Sequence, residues 1–181
     1  MNKIAIIGTA GRDKSKPMTM ALWEWMVNDA VQRVPKGAHL VSGGAAWADH
    51  LAVELFLMDH AAKLTLHLPA PFKDYRFVGP SRSSASAANY YHGEFSAVIN
   101  HQTLGDIAQC EHARDCDGTY EDADEGYSGM FKRNDRIAKS ADVMLAYTFG
   151  VGPQPADGGT RHTWDRFTGQ KTHIELPSLY D

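Results

Sequence analysis

Short apolar runs alternate with helical apolar spacing along most of this chain. Lys3 to Ile7 (KIAII) is an apolar run closed by Gly8, the pattern of a strand buried on both faces. Residues 8–17 turn to glycine, charge and serine and read as a loop. Met18, Leu22, Met26 and Ala30 recur every four residues, which predicts an amphipathic helix ending near Val34 and Pro35. His39 to Val41 predicts a second strand between Gly37 and Gly43. Leu51, Leu55 and Met58 mark one face of a helix from about Trp47 to His60. Lys63 to Leu68 is a third strand, closed by Pro69 and Pro71.

Alternation of this kind predicts a parallel sheet with helices on both faces. The pattern breaks over 72–128, which carries GPSRSSASAAN, two aromatic-rich patches and the acidic run DCDGTYEDADEG. This stretch reads as an insertion with helices near Asn89–His101 and Leu104–Arg114, its acidic run a solvated loop. Order resumes with a helix over MFKRNDRIAKSA and a fourth buried strand over Asp142–Tyr147. A loop rich in glycine and proline, a short helix over Thr160–Phe167 and a strand over Thr172–Leu176 follow. The expected fold is a single three-layer α/β domain over 1–181, with a mainly parallel sheet and an insertion at 72–128 after the third strand.

Composition narrows the picture. Hydrophobic residues make up 43% and charged residues 22%, ordinary for a globular domain. The net charge of −4 argues against a general nucleic-acid binder, which presents a basic face. Two cysteines, Cys110 and Cys116, form no disulfide framework, so reduced thiols and a cytoplasmic location are expected. The apolar run before Gly8 is too short for a secretory signal, and no segment predicts a membrane span.

Candidate chemistry concentrates in three loops that follow apolar strands: GTAGR (Gly8–Arg12), SGGA (Ser42–Ala45) and ADGGTR (Ala156–Arg161). In an open parallel sheet, ligands bind at the carboxyl ends of strands. Glycine lets backbone approach a ligand, and a following helix start offers unpaired N–H groups suited to phosphate. Each loop alone also serves as a tight strand-to-helix turn. None matches the dinucleotide fingerprint or the P-loop. Three on one rim point to a phosphate-containing ligand.

The ordered set IIGTAGR, HLVSGGAAWADHLAVELF, KRNDRIAKSADVMLAY and GGTRHTWDRFTGQKTHI covers roughly two-thirds of the chain. It resembles the SLOG superfamily, a Rossmann-like group that includes the DprA and LOG proteins, and within it the YspA-like branch. The resemblance implies a nucleotide pocket formed by Gly8, Arg12, Ser42, Gly43, Gly44, Asp49, Arg133, Asn134, Gly159 and Thr160. LOG hydrolases carry P-G-G-x-G-T-x-x-E with a catalytic glutamate. Here the equivalent position holds Thr163, and Asp165 lies on a different helix face. Relatives assemble as dimers or larger oligomers, and the apolar helix over 47–60 is the candidate interface.

Three functions follow. The first is binding of a nucleotide or nucleotide derivative, such as an ADP-ribose-type signal, by a sensor or sequestering module. The second is N-glycosidic hydrolysis or transfer on nucleoside monophosphates, with Asp49 as the catalytic carboxylate. The third, single-stranded DNA binding, is disfavoured by the charge. Glu94 and Asp165 are further acids, while Tyr90, Tyr91, Phe95, Tyr120 and Tyr127 are stacking candidates that could equally form a small core. No resident cofactor or metal is expected. The C-x-H-x₃-C cluster at Cys110–Cys116, with His92 and His101 upstream, is too irregular for zinc, and Tyr120 breaks the calcium-loop pattern.

Overall fold

A computed structural model describes residues 2–156 and 158–180, Tyr127 by its backbone alone. It contains β1 (Lys3–Gly8), α1 (Met20–Arg33), β2 (Ala38–Ser42), α2 (His50–Leu57), β3 (Ala61–Leu68), β4 (Phe72–Lys73) and β5 (Arg76–Phe77). There follow α3 (Ser84–Ile99), α4 (Thr103–Glu111), β6 (Cys116–Tyr120), α5 (Tyr127–Ser140), β7 (Val143–Thr148), α6 (Gly159–Arg166) and β8 (Gln170–Glu175). Six strands form one sheet in the order β6-β3-β2-β1-β7-β8, and every neighbouring pair is parallel. β4 and β5 form a separate antiparallel hairpin.

The three layers follow from the strand alternation. On β1, Ile4 and Ile6 face a core shared with Leu22, Met26, Leu51, Leu55, Phe95 and Ile107, which belong to α1, α2, α3 and α4. Ala5 and Ile7 face the other way, onto Ile137 of α5 and Trp164 of α6. Successive strand residues point to opposite faces, so a continuous apolar run must be covered twice. Local signals set the helix ends. The Thr19 hydroxyl accepts from Leu22 N at 3.1 Å to start α1, and the Ser83 hydroxyl accepts from Ser86 N at 3.3 Å to start α3.

Several elements differ from the sequence expectation. Residues 116–120, expected within a solvated acidic loop, instead form β6, an edge strand registered against Leu64–Leu68 of β3. Most of β6 is exposed, as that expectation held, but the open edge of β3 supplies backbone partners that make the segment a strand. The 72–128 stretch is therefore woven into the sheet. Helix α3 begins at Ser84 rather than Asn89, because small residues at 84–88 carry little periodic signal. The helix expected over 47–60 splits into one tight 3₁₀ turn at Trp47–Asp49 and α2. Among the described residues, no helix is long and apolar enough to cross a membrane.

Candidate functional site

Strand order reverses between β1 and β7: the chain runs outward from β1 to β2 and β3, then returns on the other side of β1 with β7 and β8. A crevice opens at the carboxyl ends of the strands at such a point. It holds a cleft of about 420 Å³. The Gly8–Asp13 loop, the turn after β2, the start of α6 and α5 line it, together with Ala88 and Tyr91 of α3.

Gly8, Arg12, Asp49, Arg133, Asn134, Gly159 and Thr160 all line this cleft. Ser42, Gly43 and Gly44 do not; all three are buried behind its wall. Their roles follow from what they touch. The Ser42 hydroxyl donates to the Asp49 carbonyl at 2.7 Å and fixes the turn that carries Asp49. The Gly43 carbonyl accepts from Arg133 Nη1 at 2.8 Å, and a Cβ on Gly43 would overlap that same Nη1 and lie 2.7 Å from Asp49 Oδ2. Gly43 thus vacates the space the guanidinium occupies. Gly44 sits at φ +71° with Leu68 Cδ2 only 2.5 Å from a would-be Cβ, and its carbonyl accepts from His92 Nε2 at 2.9 Å. Burial pushes His92 down to about 3, so it is the neutral donor here.

Arg133 and Asp49 form the electrostatic centre. Arg133 Nη1 stands 3.4 Å from Asp49 Oδ2, which also accepts from Ala45 N at 3.3 Å. Both side chains are more than nine-tenths buried. Burial pushes the Asp49 carboxyl up, opposed by Arg133 and by the backbone N–H groups of Ala45 and Gly43. Burial likewise pushes Arg133 down, Asp49 opposes this, and the like charge of Arg12 adds to the drop. Two cations therefore bear on one cleft, and among the described residues the buried Nε of Arg133 has no hydrogen-bond partner. A buried guanidinium with an unpaired donor can take a further hydrogen-bond acceptor.

The start of α6 completes this wall. Its first residue follows Gly158, which supplies no side-chain cap. The Thr160 hydroxyl donates to the Gly8 carbonyl at 3.0 Å and docks the helix on the end of β1, and Asn134 Nδ2 reaches the Gly159 carbonyl at 3.4 Å. The helix N-terminus thereby faces the cleft with its partial positive charge. Asp157, within the Ala156–Arg161 loop, lies outside the described residues.

Gly8 leaves its backbone no room for a side chain: a Cβ there would collide with the Tyr147 carbonyl and lie 2.6 Å from Ala48 Cβ. The following loop rests on Trp47, which holds φ 64°, an uncommon value for a bulky residue. Trp47 is pinned by Phe95, 4.2 Å away centroid to centroid, and by an edge contact with Trp23. Arg12 extends from this loop across the cleft mouth. Its guanidinium lies 4.8 Å from the Tyr91 ring centroid and 3.9 Å from Met130 Sδ.

The other candidates separate clearly. Thr163 lines the cleft and donates to the Gly159 carbonyl at 3.2 Å. Asp165 is exposed and pairs with Arg161 at 2.9 Å, while Glu94 pairs with Lys14 at 2.6 Å; neither lines the cleft. Phe95 is core, Tyr90 and Tyr120 are exposed, and the Tyr127 side chain lies outside the described residues. Cys110 and Cys116 are free thiols, and among the described residues no group of three His, Cys, Asp or Glu side chains could hold a metal. Sequence reasoning missed Met130 and Phe131 in the cleft wall. Met130 shares the i, i+3, i+4, i+7 face with Arg133, Asn134 and Ile137, a signal that was present in the spacing.

An uncharacterized protein of Acanthamoeba polyphaga mimivirus is 32% identical to this chain over 188 aligned residues, covering 98% of this chain and 97% of that protein. No family model and no solved structure matches the chain.

Proposed function

The chain belongs to the same family as that mimivirus protein, and we propose that it binds a phosphorylated ligand of the nucleotide class, as a sensor or sequestering module of the SLOG kind. The observation that carries this reading is Arg133. It is buried at the switch-point cleft, has an Nε without a hydrogen-bond partner among the described residues, and faces a second cation and the start of α6. An anionic group seated there relieves the Arg12–Arg133 repulsion and completes the hydrogen bonding of the wall.

Binding without chemistry is favoured by the state of the carboxylates. Among the described residues lining the cleft, Asp49 Oδ2 is held by Arg133 and Ala45, and Asp13 Oδ1 by the Ser15 N–H and hydroxyl. Thr163 stands where the related hydrolases carry their glutamate. The alternative, N-glycosidic hydrolysis, draws on the raised pKa of Asp49, since a carboxyl poised to be protonated is what a general acid needs.

Native mass spectrometry of the purified protein, followed by calorimetry with nucleoside mono- and diphosphates and ADP-ribose, tests the reading. A bound nucleotide whose glycosidic bond survives prolonged incubation is the expected result. Release of free base identifies the hydrolase instead. No binding by any of these compounds refutes both.

A further inference from the structure

The cleft lining is of two chemical kinds. Arg133, Asn134, Gly159 and Thr160 supply polar groups, and Ala88, Tyr91, Met130 and Phe131 supply apolar and aromatic ones. Phe131 is 47% exposed although it forms part of a cleft wall, an unusual position for a phenyl ring. Its own support is already in place. The His162 ring stands 4.6 Å from it, centroid to centroid, at a 52° tilt.

Arg166 Nη1 donates to His162 Nδ1 at 2.9 Å, and His162 Nε2 lies 3.4 Å from Asp135 Oδ1. The imidazole, held through Nδ1, backs Phe131. Across the mouth, Arg12 stacks on Tyr91 and touches Met130, giving a second flat, polarizable surface next to the first. Flat guanidinium and aromatic faces are the surfaces on which nucleobases stack.

Resting on the anion reading above, we propose that Phe131, pinned by His162, is the ring-stacking residue of this cleft. The ligand accordingly carries a planar heteroaromatic base against Phe131 while its phosphate meets Arg133. Tyr91 with Arg12 forms the opposing surface. The stacking ring reads the presence of a base and not its hydrogen-bonding edge, because the Phe131 phenyl carries no hydrogen-bonding group.

Calorimetry on wild type and Phe131→Leu, with ribose 5-phosphate and the four common ribonucleoside monophosphates as probes, decides the matter. Leucine keeps the apolar bulk at this half-exposed site, and a thermal melt checks that the variant folds. Wild type is expected to bind at least one nucleoside monophosphate about tenfold or more tighter than ribose 5-phosphate. Phe131→Leu is expected to remove most of that preference and to leave ribose 5-phosphate affinity unchanged. A preference that survives in Phe131→Leu overturns the stacking role while leaving the anion reading intact. Equal wild-type affinity for sugar phosphate and nucleotides overturns it as well. Failure of every probe to bind wild type removes the anion reading, and the ring slot falls with it.

Discussion

Gly43→Ala is the sharpest test of how the site is built. The added methyl must occupy the place of Arg133 Nη1, and it crowds Asp49 Oδ2 at 2.7 Å. The guanidinium then leaves the Gly43 carbonyl and the carboxylate, and Asp49 stays buried without its cation. Breaking a buried ion pair in this way costs about 3–5 kcal/mol. Stiffening of the unfolded chain by alanine returns about 0.4–1 kcal/mol, since Gly43 does not use a left-handed φ. A net loss of about 3 kcal/mol at neutral pH is expected in urea unfolding. The loss is also pH-dependent. Without Arg133 to oppose burial, the folded-state pKa of Asp49 rises further above its unfolded value. A carboxyl raised in the folded state destabilises fully above the folded pKa and not at all below the unfolded one. The deficit of Gly43→Ala therefore shrinks as pH falls toward the ordinary Asp range. The control is Arg133→Ala. In that background the clash with the guanidinium is gone, Asp49 is already unpaired and only its contact with the methyl remains, so adding Gly43→Ala costs about 1 kcal/mol or less. Additive costs in this cycle, or a deficit that does not change with pH, refute the account of Gly43 as the space for Arg133.

Other expectations concern the supports of the cleft. Gly44→Val places a β-branched residue at φ +71° against Leu68, and should lower stability by about 2 kcal/mol in the same unfolding assay. Thr160→Val removes the hydroxyl that docks α6 on the Gly8 carbonyl; a loss of about 1 kcal/mol and weaker nucleotide binding are expected, read by denaturation and calorimetry. His67 is pushed down to about 4, chiefly by burial and then by Arg136, Arg133 and Lys3. Between its ordinary value of 6.5 and about 4 the unfolded chain takes up a proton that folded His67 refuses, so stability falls as pH drops through that window. His67→Gln should flatten that part of the profile of unfolding midpoint against pH.

Much of the architecture is written in local pattern. The double-sided apolar strands at 3–8, 38–42 and 143–148 announce a covered parallel sheet, because only burial on both faces rewards such runs. Thr19 and Pro35 bracket α1 because a hydroxyl cap starts a helix and a proline cannot continue one. The glycine-rich loops stood out for the same local reasons, whereas Arg133 stood out only through the family resemblance. β6 did not stand out. Cys116–Tyr120 carries no apolar alternation, and its strand exists because β3 leaves an edge of unpaired backbone groups beside it.

The roles within the site divide along the same line. Sequence alone determined that bare backbone follows β1 and β2 and precedes α6, since glycine's freedom belongs to the residue itself. Only the tertiary structure decided that Gly43 makes room for a guanidinium ninety residues away instead of for a ligand, and that Gly44 holds His92. It also decided that Phe131 meets a histidine from α6 at the cleft mouth. Which groups meet depends on how helices pack across the sheet. That is a property of long-range burial, and no window of neighbouring residues contains it.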